Sequence, residues 1–220
     1  MIKAEYIQHM GSDLTVVNAA RVSFNKESEH LDEKDIKLIN YLAKHNHWTP
    51  FAHSMITFRE TVPIFVARQR FKHMVGFTYN EVSRRYVDDT PEFYVPAQWR
   101  GRPDGSVKQG SSDSVIQELT LYEDEEYKMP IHMLYDGFVE DAMYLYNNMI
   151  NSGVAPEMAR MVLPQSMMTS YYVTGSLAAF ARAYKQRSDS HSQKEIQDLA
   201  AEWDKVISIL FPHSWEALTR

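Results

Sequence analysis

Cysteine is absent from the 220-residue chain. Its absence excludes a disulfide framework and any thiolate metal site, and with them catalysis by a cysteine nucleophile. Long apolar runs are missing too, since none approaches the roughly 20 residues that a membrane-spanning helix requires. No charged n-region, apolar h-region and cleavage pattern opens the sequence, so a soluble, cytoplasmic protein is expected. A Gly-rich strand, turn and helix fingerprint is lacking, which removes the Rossmann mode of dinucleotide binding. Internal repeats, low-complexity tracts and a second domain boundary are likewise not seen. What remains is 44% apolar and 12% aromatic. That suffices for one buried core, and a single domain over 1–220 is expected. Its Gly-, Ser- and charge-rich stretch 100–114 reads as a mobile surface loop. Within it Lys108-Gln109-Gly110-Ser111 is either plain loop or a lid over a ligand.

Positive charge is scarce overall, with a net charge of -6, yet it is concentrated in one stretch, RQRFKHMVGFTYNEVSRRY, from Arg68 to Tyr86. Arg68, Arg70, Lys72, Arg84 and Arg85, with His73, stand there against a single acid, Glu81. Such a run is either a solvated basic face or a site for an anion. Phe71, Phe77 and Tyr79 interleave aromatic surface that suits a stacked ring as well as a phosphate. Asn80, Glu81 and Ser83 add the acceptors needed to read a base edge.

The remaining pattern predicts an α+β fold, a mostly antiparallel sheet packed with helices. Lys3 to Ile7, Ser54 to Thr61 and Thr169 to Thr174 read as strands. Asp13 caps a short helix through Ala20. Ile36, Ile39, Leu42 and Ala43 set a packing helix within Leu31 to Asn46. Pro63 suits a first helical position, in a helix that places Arg68 and Lys72 on one face and that Gly76 breaks. Ile131, Leu134, Phe138, Ala142, Leu145 and Met149 mark a long amphipathic helix. Gly175-Ser176 opens a helix to Arg187. Ser190 caps the next, whose stripe is Ile196, Leu199, Ala200, Trp203, Ile207 and Leu210. Arg160, a cation in the apolar sequence between Pro156 and Pro164, needs an anionic partner, from the protein or from a ligand. His45, His47 and His53 are divided by Pro50, which speaks against a metal site, and no metal is expected.

Four separated motifs, correctly ordered, resemble those of the flavin-dependent thymidylate synthases. The run YNEVSRRY resembles the Asn-Glu-x-Ser-x-Arg-Tyr core of that family, and Lys72-His73-Met74 stands where Arg-His-Arg is usual, with eight residues between Met74 and Ser83 where the family has seven. His47-Trp48-Thr49-Pro50-Phe51-Ala52-His53 matches His-x-Thr-Pro-Phe-Glu-His except at Ala52. Ala159-Arg160-Met161-Val162-Leu163-Pro164 matches Ala-Arg-x-Val-Leu-Pro. Arg187 to Glu195 is similar to Arg-x-Asp-x-His-x-Gln-x-Glu, with Asp189 pairing Arg187 as the purely structural alternative.

The resemblance implies reductive methylation of dUMP to dTMP, with methylenetetrahydrofolate giving the carbon and NADPH giving reducing equivalents through FAD. It also implies a homotetramer with active sites shared between subunits. It places dUMP on Gln69, Glu81, Ser83, Arg84, Arg85, Arg160 and Arg187, with Arg187 catalytic through charge developing at uracil N3. It places FAD on Thr49, Lys72, His73, Met74, Glu81, Ser23, Ser176, Arg182 and His191, Arg182 meeting a phosphate. A cysteine-dependent thymidylate synthase is excluded, because that chemistry needs the missing thiol. The competing expectation is a non-catalytic nucleotide or single-stranded nucleic-acid binder built on the Arg68 to Tyr86 patch. The acidic balance opposes it, since such binders depend on phosphate neutralisation; neither nucleic acid nor a membrane is an expected partner.

Overall fold

The computed structural model describes residues 1–86, 89–103, 105, 110–121 and 127–220. Lys108 and Gln109 of the expected lid lie outside the described residues. Contacts divide the chain into two compact units. The first is Met1–Val62, Arg68–Glu81 and Ser170–Arg220, and the second is Pro63–Ala67 and Val82–Thr169.

Along the chain run β1 (Lys3–Met10), α1 (Asp13–Arg21), α2 (Glu33–Lys44), β2 (Met55–Pro63), α3 (Ile64–Arg70) and β3 (Phe77–Glu81). Then come β4 (Glu118–Thr120), β5 (Lys128–Pro130), α4 (Ile131–Asn151), α5 (Pro156–Ala159), β6 (Met168–Ser176), α6 (Leu177–Arg187), α7 (Lys194–Leu210) and α8 (Pro212–Thr219). The main sheet has the order β1-β2-β6-β3. β1 runs antiparallel to β2, with a bulge between Tyr6 and Gln8, and β3 runs antiparallel to β6 with Tyr79 opposite Val173. The fold is thus α+β with antiparallel pairing, as expected.

Alternation sets the inward face of β2. Ile56, Phe58, Glu60 and Val62 are all fully buried, because successive side chains of a strand point to opposite faces. Glu60 therefore occupies a position that the pleat assigns to an apolar residue. On β6, Thr169, Tyr171 and Val173 are buried in the same alternating way. Of the predicted α7 stripe, Ile196, Leu199, Ala200, Trp203 and Ile207 are fully buried, while Leu210 is only half-buried. Phe180, Phe211 and Trp215 complete this core, each large apolar side chain contributing about 1.5–3 kcal/mol by burial.

Several local expectations are corrected. Ser12, not Asp13, is the N-cap of α1. The Asp13 carboxylate instead accepts the backbone N–H groups of His213 and Ser214 at 2.9 Å each, so it caps α8, whose first-turn donors have no partner within the helix. Pro63 closes β2 rather than opening α3. α3 ends at Arg70, well before Gly76, so Lys72 lies past the helix and does not share its face with Arg68. Ser190 does not cap α7, whose N-cap is Gln193. On α4 the burial falls on Ile131, Ala142 and Tyr146, while Phe138 and Leu145 of the predicted stripe are 56% and 49% exposed. The helix is apolar over more than one face, and α5, β5 and the turn Arg160–Val162 are its neighbours within the second unit.

Candidate active site

In the first unit the site grows out of the turn after α3. His73 N–H donates to the Arg70 carbonyl at 3.1 Å, which carries the chain off the helix and turns His73 inward. His73 is 8% exposed. Its Nε2 accepts a hydrogen bond from Arg187 Nε, 2.8 Å away at the last residue of α6. Burial first, then repulsion by Arg187, Arg70 and Arg182, pulls the His73 pKa down from 6.5 to about 4. A neutral imidazole with its proton on Nδ1 is the state that can accept from a guanidinium.

Arg187 is half-buried, and burial followed by Arg70 repulsion lowers its own pKa. It stays charged, because an arginine cannot be deprotonated in a protein. Only its Nε is engaged; among the described residues no side chain or carbonyl takes its two Nη groups. The Asp189 pairing is corrected here: Asp189 accepts from the His191 backbone at 2.8 Å and bonds His191 Nδ1 at 3.0 Å. Those hydrogen bonds hold the Asp189 carboxyl below its usual range. Gln69 Nε2 donates to Gln193 Oε1, and Gln193 in turn donates to Glu195 at 2.9 Å, which fixes the Gln69 amide.

A second group surrounds Gly76, whose φ of 80° is in the left-handed region that glycine adopts without strain. A Cβ there would meet Ala179 Cβ at 2.9 Å and Ser176 Oγ at 3.3 Å, so the backbone lies directly on the first turn of α6. Ser176 caps that helix, its Oγ accepting the Ala179 N–H at 3.2 Å. Arg182 donates to the Val75 carbonyl. Lys72, Met74 and Arg182 are exposed. These residues fit the group that the family motifs imply: two cations suit a flavin nucleotide's phosphates, and Met74 with Val75, about three-quarters exposed, offers apolar surface to its rings. Thr49 precedes the turn Pro50–Ala52, which packs on α6. Ser23 is exposed in the turn after α1 and bonds none of these side chains among the described residues. His45 and His47 lie with their rings 4.3 Å and 6.0 Å from that of Tyr41. Glu81 ends β3.

The second unit holds the other arginines. Ser83 Oγ accepts the Arg85 N–H at 3.3 Å. Arg84 pairs with Asp89 at 2.8 Å. Arg85 lies 3.3 Å from the Glu157 carboxylate, and Arg160 Nε donates to the Glu157 carbonyl at 3.3 Å. Glu157 thus gathers Arg85 and Arg160, although a residue separation of 75 hides this in the sequence. Arg160 is exposed and not embedded.

Sequence reasoning missed the most buried polar cluster. Arg70, read as one member of a basic run, is fully buried against Glu60. A charged residue at an inward β2 position was the one available sign.

The His73 environment predicts an acid-side loss of stability. With a folded pKa of about 4 against about 6.5 unfolded, the unfolded chain binds a proton between those values that the folded chain does not. Stability therefore falls as pH drops through that window, by about 2 kcal/mol from pH 7 to 5 for this one group. Denaturant unfolding at both pH values should show it, and His73→Gln should flatten the difference. An unchanged slope in the variant would dismiss His73 as its source.

A scaffold that displays an arginine edge beside a neutral histidine, with exposed cations around a tight glycine turn, carries the groups that an anionic, ring-bearing ligand needs. The model of the thymidylate synthase complementing protein family matches residues 5–213, and the chain belongs to that family. It is 37% identical to a flavin-dependent thymidylate synthase of Thermosipho africanus, over 97% of this chain and 89% of that one. It is 36% identical to one of Thermotoga neapolitana, over 98% and 90%. Among solved structures, a UMP/dUMP methylase, PolB, of Streptomyces cacaoi bound with 5-Br dUMP superposes with a TM-score of 0.82 and 30% identity. It covers 100% of this chain and 95% of that one.

Proposed function

We infer that the chain is a methyltransferase that converts dUMP to dTMP with FAD as cofactor, methylenetetrahydrofolate as carbon donor and NADPH as reductant. The observation that carries this reading is the Arg187 guanidinium. Its Nε is fixed on neutral His73, and its planar outer edge is open to two uracil atoms at once. A deoxyuridine nucleotide is the ligand class because PolB binds 5-Br dUMP and the named relatives are thymidylate synthases. Gln69, Glu81, Ser83, Arg84, Arg85 and Arg160 complete the proposed dUMP set. Arg84 and Arg85 then exchange Asp89 and Glu157 for phosphate, a dianion that makes stronger charge-assisted bonds. The same pairing, with the net charge of -6, leaves nothing to favour nucleic-acid binding.

Thr49, Lys72, His73, Met74, Glu81, Ser23, Ser176, Arg182 and His191 are the proposed FAD contacts. When bound, FAD supplies hydride-transfer chemistry. The chain's own residues orient the ring and meet the charge that develops on it. Residues 1–220 act as one domain in this reading, in the cytoplasm, as a homotetramer. The open apolar face of α4, with Met133, Phe138, Tyr144 and Leu145 exposed, supports self-association. A monomeric mass by light scattering would refute it.

The test is a visible spectrum followed by dUMP titration. Purified protein should absorb near about 450 nm, as flavins do, and dUMP should perturb that band. Met74 in place of a cation and Ala52 in place of a carboxylate should weaken retention, since one charged hydrogen bond is worth about 1.5–3 kcal/mol. FAD is thus expected to leave on extended dialysis. Stoichiometric flavin surviving dialysis would contradict the weakened retention, and protein that takes up neither FAD nor dUMP would contradict the function.

A further inference from the structure

Glu60 and Arg70 are both fully buried and joined, Arg70 Nε lying 3.0 Å from Glu60 Oε2. The carboxylate also accepts from Trp203 Nε1 at 2.8 Å and from the Tyr171 hydroxyl at 2.6 Å, so all its donors come from the core of the first unit. The guanidinium lies 4.3 Å from the Phe77 ring centroid and 4.7 Å from that of Trp203. Among the described residues its Nη2 has no hydrogen-bond partner. Its Nη1 donates to the Tyr79 hydroxyl at 2.6 Å, and that hydroxyl donates to the His73 carbonyl at 2.7 Å.

A buried ion pair is weak evidence for stability, because apolar residues of similar volume often serve as well. This one is connected, through a single hydroxyl, to the backbone of the residue that receives Arg187. The geometry points to a positioning relay, Glu60 to Arg70 to Tyr79, that fixes the His73 backbone and through it the direction in which the Arg187 guanidinium faces its ligand. The inference rests on the reading of Arg187 above. Tyr79 is the member that can be changed with least disturbance. It is half-buried on β3, burial lifts its pKa to about 12 so the hydroxyl keeps its proton, and phenylalanine preserves its ring packing on Phe71 and Tyr171.

The relay makes Tyr79→Phe a lesion of geometry. Turnover at saturating dUMP should fall roughly tenfold, within the range that a displacement under an ångström produces, with the dUMP KM changed much less. In an Arg187→Lys background the same change should cost nothing further, because the residue through which it acts has already been lost. In histidine-labelled protein the His73 ring resonance should move in Tyr79→Phe at neutral pH. Wild-type turnover in Tyr79→Phe overturns the relay, as does an equal loss in both backgrounds that follows melting temperature. If Arg187→Lys is itself harmless, the reading of Arg187 fails instead. The His73 resonance then decides the relay alone: an unmoved resonance overturns it, and a moved one upholds it as a device that fixes His73.

Discussion

Arg187→Ala is expected to lower turnover at saturating dUMP on the order of 10²-fold, the loss seen when a donor to developing charge is removed. A residue that only held ground-state nucleotide would raise the apparent dissociation constant and leave saturated turnover intact. In the proposed reading the guanidinium is placed for the larger effect. It is the last residue of α6, tied at Nε and, among the described residues, open at both Nη groups. Arg187→Lys should rescue little, since an ammonium lacks the planar fork. Melting temperature should stay close to that of the parent, because Arg187 is only half-buried and forms no ion pair among the described residues. Normal stability with wild-type turnover at saturating dUMP would remove Arg187 from the mechanism.

Glu60→Leu should be the most destabilising single change. It leaves Arg70 buried and without its acid, with Nη2 already lacking a partner among the described residues, and strips acceptors from Trp203 and Tyr171. Breaking one side of a buried pair costs about 3–5 kcal/mol, a large share of the roughly 5–15 kcal/mol that holds a typical domain folded. At about 2–4 °C per kcal/mol for a chain of this size, the melting temperature should drop by about 10 °C. The double change Glu60→Leu with Arg70→Met should recover much of it by removing the orphaned charge. Calorimetry at one ligand and protein concentration checks both. A single variant within about 1 kcal/mol of the parent would mean that water or a shifted side chain solvates Arg70.

The elements were legible where burial follows a period. β2 and β6 alternate, α2 and α7 carry apolar stripes, and all four stand close to their expected bounds. β3 was not legible: Phe77-Thr78-Tyr79-Asn80-Glu81 is too short and polar to declare itself, and it forms because β6 offers it a partner edge. The candidate site was readable as a set of residue types, since Arg, His and Gln at motif spacing announce an anion. Its wiring was not. That His73 and not Asp189 receives Arg187 depends on a turn 114 residues away, and no local pattern encodes such a pairing. Arg70 shows the converse limit, because a cation among cations on a helix reads as surface until its acid, Glu60 on β2, is known.

The cap on α8 bears on the order in which the chain completes itself during synthesis. Asp13 meets its partners 200 and 201 residues later, and α8 lies against α2 as well as α6 and α7. At translation rates of about 5–20 residues per second, the first helices emerge roughly 10–40 s before the segment they are built to hold. In that interval α2 keeps its apolar side, with Ile39 and Leu42, without its final cover. The nascent amino-terminal segment therefore exposes, until α8 arrives, apolar surface of the kind that makes incompletely folded chains prone to aggregate.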